Sequence, residues 1–174
     1  MITWKPSPHF IARREQPSAV VIYDGGSNSP NLDLFETTRL SCHYAVQRSG
    51  EILHYVEDMD VAFHAPNGAA LFGRTDVNGF ALGIELAEAH NDKPYTDDQI
   101  GSLISLVTAL CYEYKIPLNK IVGPSHLAIV KEADARQKFP WFDFLVVVGA
   151  RISELQLTTE DAHPSQTENI MNGT

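Results

Sequence analysis

The sequence of 174 residues has only two cysteines, no long apolar run and a deficit of basic residues. Thirteen Lys and Arg stand against 22 Asp and Glu, and the formal net charge is -9. Because binding to nucleic acid requires a basic face, this charge argues against a nucleic-acid partner. The pair Arg13-Arg14 is too short to reverse that balance and is typical of a solvated loop. No apolar run reaches the roughly 20 residues of a membrane-spanning helix, so we expect no membrane segment.

The first residues, MITWKPSPHFIARR, lack the apolar core of a secretory signal peptide. We therefore expect the protein to act in the cytoplasm or to leave the cell by a non-classical route. The two cysteines, Cys42 and Cys111, are interpreted as buried free thiols. A chain of this length, 44% hydrophobic, predicts one domain over residues 1–157, followed by a polar and disordered tail over 158–174.

The order of predicted elements indicates an α/β domain, in which a mixed central β-sheet is flanked by helices. Apolar β-branched runs predict strands, the turn at Ser49-Gly50 predicts a hairpin, and apolar residues at helical spacing predict helices. The strands are expected over 18–26, 79–88 and 120–123, the hairpin over 41–58, and the helices over 31–38, 96–114 and 140–155. At the start of the second helix, Thr96 and Gln99 have the spacing of a capping box.

A few polar residues lie where a functional site would need them. Glu85 is inside the apolar strand ALGIELA, where a carboxylate costs several kcal/mol unless it is paired or reaches a cleft. His43 and His64 are each compatible with a structural histidine, but together with Glu85 they favour a shared cleft. His126 and Asp134, eight residues apart in a loop, could both reach a metal ion.

Several longer segments carry a family resemblance. LSCHYAVQRSGEILHYVEDMDVAFHAP follows a Ser-x-His-Tyr hairpin and an Ala-Trp-His-Ala turn, and NGFALGIELA follows an Asn-x-x-Ser-Ile-Gly-Ile-Glu strand. YTDDQIGSLISLVTALCYEYKIPLNKIVG follows a Tyr-Thr-x-x-Gln helix and the strand after it. In this order the segments resemble the zinc-dependent N-acetylmuramoyl-L-alanine amidases of the amidase-2 type, which are related to the peptidoglycan recognition proteins. The resemblance extends over about residues 2–154.

The resemblance implies a zinc site made of two histidines and one aspartate, which cleaves the amide between the muramic acid lactyl group and L-alanine. Tyr23 and Pro124 stand at the two histidine positions, and Asp134 stands at the third. Tyrosine, with a pKa near 10, is a poor ligand at neutral pH, and proline has no side-chain donor. Glu132 stands where the family has an assisting lysine, while Glu85 matches the strand glutamate.

The predicted binding cleft contains residues that match the family and residues that differ from it. The resemblance implies that His43 and His64 match cleft histidines that are not zinc ligands. Its members are Tyr23, His43, His64, Glu85, Pro124, His126, Glu132 and Asp134. Of these, Glu85 is the residue whose family match implies a catalytic role.

Three functions remain open from the sequence. The first is a pseudo-amidase, which binds peptidoglycan or muropeptides without efficient hydrolysis and needs no cofactor. The second is an active N-acetylmuramoyl-L-alanine amidase with a rearranged zinc site, in which His126 swings in beside Asp134 and Asp24 replaces Tyr23 after a one-residue strand slip. The third is a protein-interaction module, with Tyr23 and Pro124 filling the cleft and the acidic charge favouring a basic protein partner.

Overall fold

The computed structural model describes residues 1–24, 39–87, 94–128 and 139–162. The strands are β1 (Ile2–Trp4), β2 (Phe10–Ala12), β3 (Ala19–Asp24), β4 (Tyr44–Val46), β5 (Ile52–His54), β6 (Asp60–Ala62), β7 (Ala70–Leu71), β8 (Arg74–Thr75), β9 (Ala81–Leu86) and β10 (Ile121–Val122). The helices are α1 (Val77–Phe80), α2 (Asp97–Tyr114) and α3 (Trp141–Ala162), and two 3₁₀ helices span Leu118–Lys120 and Pro124–His126.

A six-stranded sheet in the order β1-β5-β4-β9-β3-β10 forms the centre of the domain. β3 and β4 pair in parallel with β9, β10 pairs in parallel with β3, and β4 and β5 form the predicted antiparallel hairpin. Every residue of β9 is buried, which explains its continuous apolar sequence. The mixed sheet with flanking helices confirms the predicted fold class.

The register of β3 on β9 determines which side chains face the cleft. Tyr23 pairs with Glu85, and Glu85 pairs with Ala45 of β4 on its other side. Ile22, 2% exposed, belongs to the core on the opposite face, which α2 covers. In this register Tyr23, and not Asp24, lies beside Glu85, and the replacement of Tyr23 by Asp24 as a ligand stays a prediction. Tyr23 and Glu85 lie near the carboxyl ends of parallel strands, where α/β sheets commonly bind ligands.

The first turn of α2 is tied to the sheet by one buried amide. Thr96 Oγ1 accepts a hydrogen bond from the backbone N–H of Gln99 at 3.1 Å, as the predicted cap requires. The reciprocal half of the capping box does not form, because Gln99 Nε2 donates instead to the carbonyls of Val46 at 2.9 Å and Ala87 at 3.0 Å. The start of α2 is thereby joined to the carboxyl ends of β4 and β9.

Helix α3 packs its apolar side against α2 and continues further than predicted. It runs to Ala162, past the expected domain boundary at 157, whereas residues 163–174 and the helix expected at 31–38 lie outside the described residues. Cys42 and Cys111 are buried free thiols, as predicted. Among the helices described, none combines the length and apolarity needed to cross a bilayer.

We expect Phe144→Ala to lower the free energy of unfolding by about 3–5 kcal/mol, because Phe144 is 1% exposed and its removal leaves a core cavity. The matched control is Phe142→Ala on the same helix, where the side chain is 79% exposed and the change should stay within about 0.5 kcal/mol. Urea denaturation measures both. Equal destabilisation by the two substitutions would contradict the orientation of α3.

Candidate functional site

Four of the predicted site residues lie together on the sheet face opposite α2, and we call Tyr23, His43, His64 and Glu85 the cleft cluster. Tyr23 Oη lies 3.0 Å from His64 Nδ1. The His43 and His64 rings meet edge to face, with centroids 5.6 Å apart. Glu85, 9% exposed, is the register partner of Tyr23. The grouping of two histidines and a strand glutamate is the arrangement that the sequence favoured.

His64 lies over the one position of β9 that has no side chain. A Cβ added to Gly83 would lie 2.3 Å from His64 Cγ, so the ring occupies space that only glycine leaves open. His64 Nε2 lies 3.2 Å from the carbonyl of Ala81, which can only accept. The ring proton is therefore on Nε2, and Nδ1 accepts the hydrogen bond that the Tyr23 hydroxyl donates.

Asn78, in α1, holds the backbone that carries His64. Its Oδ1 accepts from the backbone N–H groups of His64 at 3.1 Å and Ala65 at 2.7 Å. Its Nδ2 donates to the Ala65 carbonyl at 3.2 Å. One side chain thus satisfies three backbone groups that follow the end of β6. The residue was missed as a site residue, although the asparagine of the resembling strand motif was a signal for it.

His43 is fully buried and is fixed to the same strand. Its Nδ1 accepts from the backbone N–H of Gly83 at 3.0 Å, so its ring proton is on Nε2, which lies 3.2 Å from the carbonyl of Asp60. Burial lowers the pKa of His43 well below its usual value, and the nearby His64 and Arg13 lower it further. Burial likewise lowers the pKa of His64 to about 4. Both imidazoles are therefore neutral at pH 7.

Burial and the negative charge of Glu85 raise the pKa values of one phenol and one thiol at the cleft. Burial raises the pKa of Tyr23 above its usual value, and the negative charge of Glu85 raises it further. The same two causes, burial first, raise the pKa of the Cys42 thiol. Tyr23 thus stays protonated and donates to His64, and Cys42 is a neutral thiol rather than a nucleophilic thiolate.

The residues that the resemblance places at the two histidine positions offer no zinc ligand. The Tyr23 hydroxyl is neutral and is used in the hydrogen bond to His64. Pro124 begins the 3₁₀ helix that lies against β3 and has no donor atom in its side chain. Within the described ranges, no group of three His, Cys, Asp or Glu side chains is arranged to hold a metal ion.

Of the other three predicted loop residues, the structure describes only His126, and no contact joins it to the cleft cluster within the described ranges. The His126 side chain is exposed, and its Nδ1 lies 3.3 Å from the carbonyl of Gly123 in its own turn. Glu132 and Asp134 lie outside the described residues. That His126 and Asp134 lie close enough to bind one metal ion stays a prediction.

Arg13 was interpreted from the sequence as a solvated residue, and this is wrong. The guanidinium is partly buried and reaches the backbone around both histidines, with Nη2 3.0 Å from His43 Nε2. No local pattern identified it, because its partners are carbonyl groups more than 40 residues away in sequence.

The comparisons with known proteins agree on the family and the fold. The sequence profile of the N-acetylmuramoyl-L-alanine amidase family matches residues 13–138. The 1,6-anhydro-N-acetylmuramyl-L-alanine amidase AmpD of Haemophilus influenzae is 39% identical over 109 residues, 62% of this chain and 58% of that protein. The AmpD of Citrobacter freundii is 32% identical over 167 residues, covering 82% of this chain and 88% of that protein. A crystal structure of a selenomethionine AmpD derivative superposes with a TM-score of 0.69 at 27% identity, over 83% of this chain and 92% of that one.

We expect Gly83→Ala to destabilise the protein by about 3 kcal/mol, because the new methyl group overlaps the His64 ring. Gly101→Ala in α2 is the matched control, since a Cβ there meets no atom within 4 Å and the change should stabilise the helix by about 1 kcal/mol. Both are measured by urea denaturation. A Gly83→Ala variant as stable as the parent would contradict the placement of His64.

The neutral His64 also predicts a pH dependence of stability. An unfolded histidine takes up a proton below about pH 6.5, whereas folded His64 does so only below about pH 4. In that window the unfolded state binds more protons, so the free energy of unfolding should fall by about 2–3 kcal/mol as the pH falls from 6.5 to 4. Denaturation midpoints of the parent and of His64→Gln isolate this contribution. Identical pH profiles for the two proteins would contradict it.

Proposed function

We propose, on the premise that this chain belongs to the N-acetylmuramoyl-L-alanine amidase family, that it binds muropeptides beside the cleft cluster without hydrolysing them through zinc. The relatives' name, 1,6-anhydro-N-acetylmuramyl-L-alanine amidase, describes the amide between an anhydromuramyl sugar and L-alanine. A muropeptide containing that linkage is therefore the ligand class we assign to this cleft.

The hydrogen bond from Tyr23 to His64 carries the proposal. A zinc ligand must offer an electron pair, but the Tyr23 hydroxyl is protonated and its hydrogen points to His64 Nδ1. Pro124 offers no donor at the second position, and Glu132 brings a negative charge where the family has a lysine. Without metal and cation, an oxyanion formed at the amide carbonyl would lack both of the positive charges that stabilise it.

Hydrolysis by a different arrangement is the second candidate function, and one observation favours it. Glu85, the residue that matches the family's strand glutamate, lies next to Tyr23 at the edge of the cleft cluster. A buried carboxylate at this position has the chemistry of a general base. Binding and cleavage must therefore be measured on the same sample.

We expect isothermal titration with a 1,6-anhydro-N-acetylmuramyl-L-alanyl peptide to give a Kd on the order of 10–100 µM, and about tenfold weaker binding for Glu85→Gln. Phe142→Ala, on the exposed side of α3, is the control and should bind as the parent does. Mass spectrometry of the titrated sample, with and without added zinc, should show intact ligand. Release of the L-alanyl peptide would establish the enzyme instead, and the absence of binding would leave the protein-interaction function.

The double substitution Tyr23→His with Pro124→His restores both of the family's histidines, and Asp134 stands at the third ligand position. We expect the variant to bind one zinc ion per chain in elemental analysis after dialysis. Tyr23→His alone is the matched control and should retain much less than one equivalent. A folded double variant without zinc would show that the Pro124 loop does not occupy the place of the family's ligand loop.

A further inference from the structure

Arg13 lies behind the two histidines of the cleft cluster and donates to main-chain carbonyls on three segments. Its acceptors are the carbonyls of Asp58 at 3.0 Å, Asp60 at 3.1 Å, Asn78 at 3.4 Å, Gly79 at 2.8 Å and Ala81 at 3.3 Å. The first two carbonyls lie just before β6 and at its first residue, the next two lie in α1, and the last is at the first residue of β9. The planar fork of a guanidinium can serve this many acceptors, which an ammonium group cannot.

Two of these carbonyls are the same ones that the histidine rings use. The Asp60 carbonyl, bound by Arg13 Nε, lies 3.2 Å from His43 Nε2. The Ala81 carbonyl, bound by Arg13 Nη2, lies 3.2 Å from His64 Nε2. Each carbonyl thus accepts from the arginine and from one imidazole, as its two lone pairs allow.

At His43 the guanidinium does not favour the Nε2–H tautomer. Arg13 Nη2 lies 3.0 Å from His43 Nε2 and can only donate, so it favours a lone pair on that nitrogen. The Gly83 N–H already takes the lone pair of His43 Nδ1, which leaves the ring proton on Nε2 in spite of this contact. At His64 the acceptor of the Nε2 proton is the Ala81 carbonyl that Arg13 also binds, so there the arginine acts in favour of the Nε2–H tautomer.

We propose that Arg13 is a positioning residue of the cleft cluster, which orients the Ala81 carbonyl and so fixes the ring proton of His64 on Nε2. The consequence reaches the cleft at Tyr23. With its proton on Nε2, His64 presents a lone pair at Nδ1, and the Tyr23 hydroxyl hydrogen is directed at it. With the proton on Nδ1, the same hydroxyl would have to turn its hydrogen elsewhere.

The test is the ring ¹⁵N spectrum of the full chain with labelled histidine at pH 7, assigned with His43→Gln and His64→Gln. In the parent, both rings should show protonated Nε2 and unprotonated Nδ1. In Arg13→Met, the ratio of the two tautomers of His64 should move toward Nδ1–H by roughly tenfold, since a hydrogen bond to a fixed acceptor contributes about 1.4 kcal/mol. Arg14→Met is the matched control, because Arg14 is exposed, and its spectrum should equal the parent's.

Arg13→Lys is the second variant, which keeps the charge but loses the fork. If Arg13→Met does not fold, the tautomer shift is expected in Arg13→Lys. A folded variant whose His64 ring keeps the parent's signature overturns the proposal. If neither variant folds, Arg13 is a residue of the whole domain rather than of the histidines, and the proposal is equally overturned. The spectrum is recorded without ligand, so it tests the role of Arg13 even if the protein does not bind muropeptides.

Discussion

The absence of a side chain at Gly83 is the constraint on which the rest of the site depends. It allows the His64 ring to lie directly on β9, where Nε2 reaches the Ala81 carbonyl and Nδ1 reaches Tyr23. The backbone of the same glycine binds His43 through its N–H. A larger residue would separate the ring from the strand and break the contacts to its neighbours. The positions of both histidines therefore depend on the backbone geometry of β9.

Neutrality is the common property of the two imidazoles and the phenol arranged around this strand. The two imidazoles are kept unprotonated by burial and by Arg13, and the phenol of Tyr23 is kept protonated by burial and by Glu85. A metal site needs the opposite arrangement, in which electron pairs converge on one point. Here the ring nitrogens of both histidines and the hydroxyl of Tyr23 are directed at protein partners instead.

The sequence predicted best where the pattern was local and long. The strand β9 is buried on both faces, and its apolar run predicted it correctly. The helix α2 is buried on one face, and the helical spacing of its apolar residues predicted it correctly. It failed where the structure depends on distant contacts. β1 and β2 have three exposed residues each and no alternation to detect, and the half-formed capping box of Gln99 depends on two strand carbonyls. Arg13 was misread for the same reason, since nothing near it in sequence shows that it crosses behind two histidines.

The amide of Gln99 couples parts of the domain that would otherwise loosen separately. Its two hydrogen bonds run from the first helical turn to the last residue of β4 and to the residue that follows β9. Helix ends and strand ends usually open first and independently. If the N-terminal turn of α2 unfolds, the carbonyls of Val46 and Ala87 lose their buried hydrogen-bond donor. Ala87 is two residues from Glu85, so this end of β9 belongs to the edge of the cleft. We therefore expect this edge of the cleft to open together with the first turn of α2 as one cooperative unit.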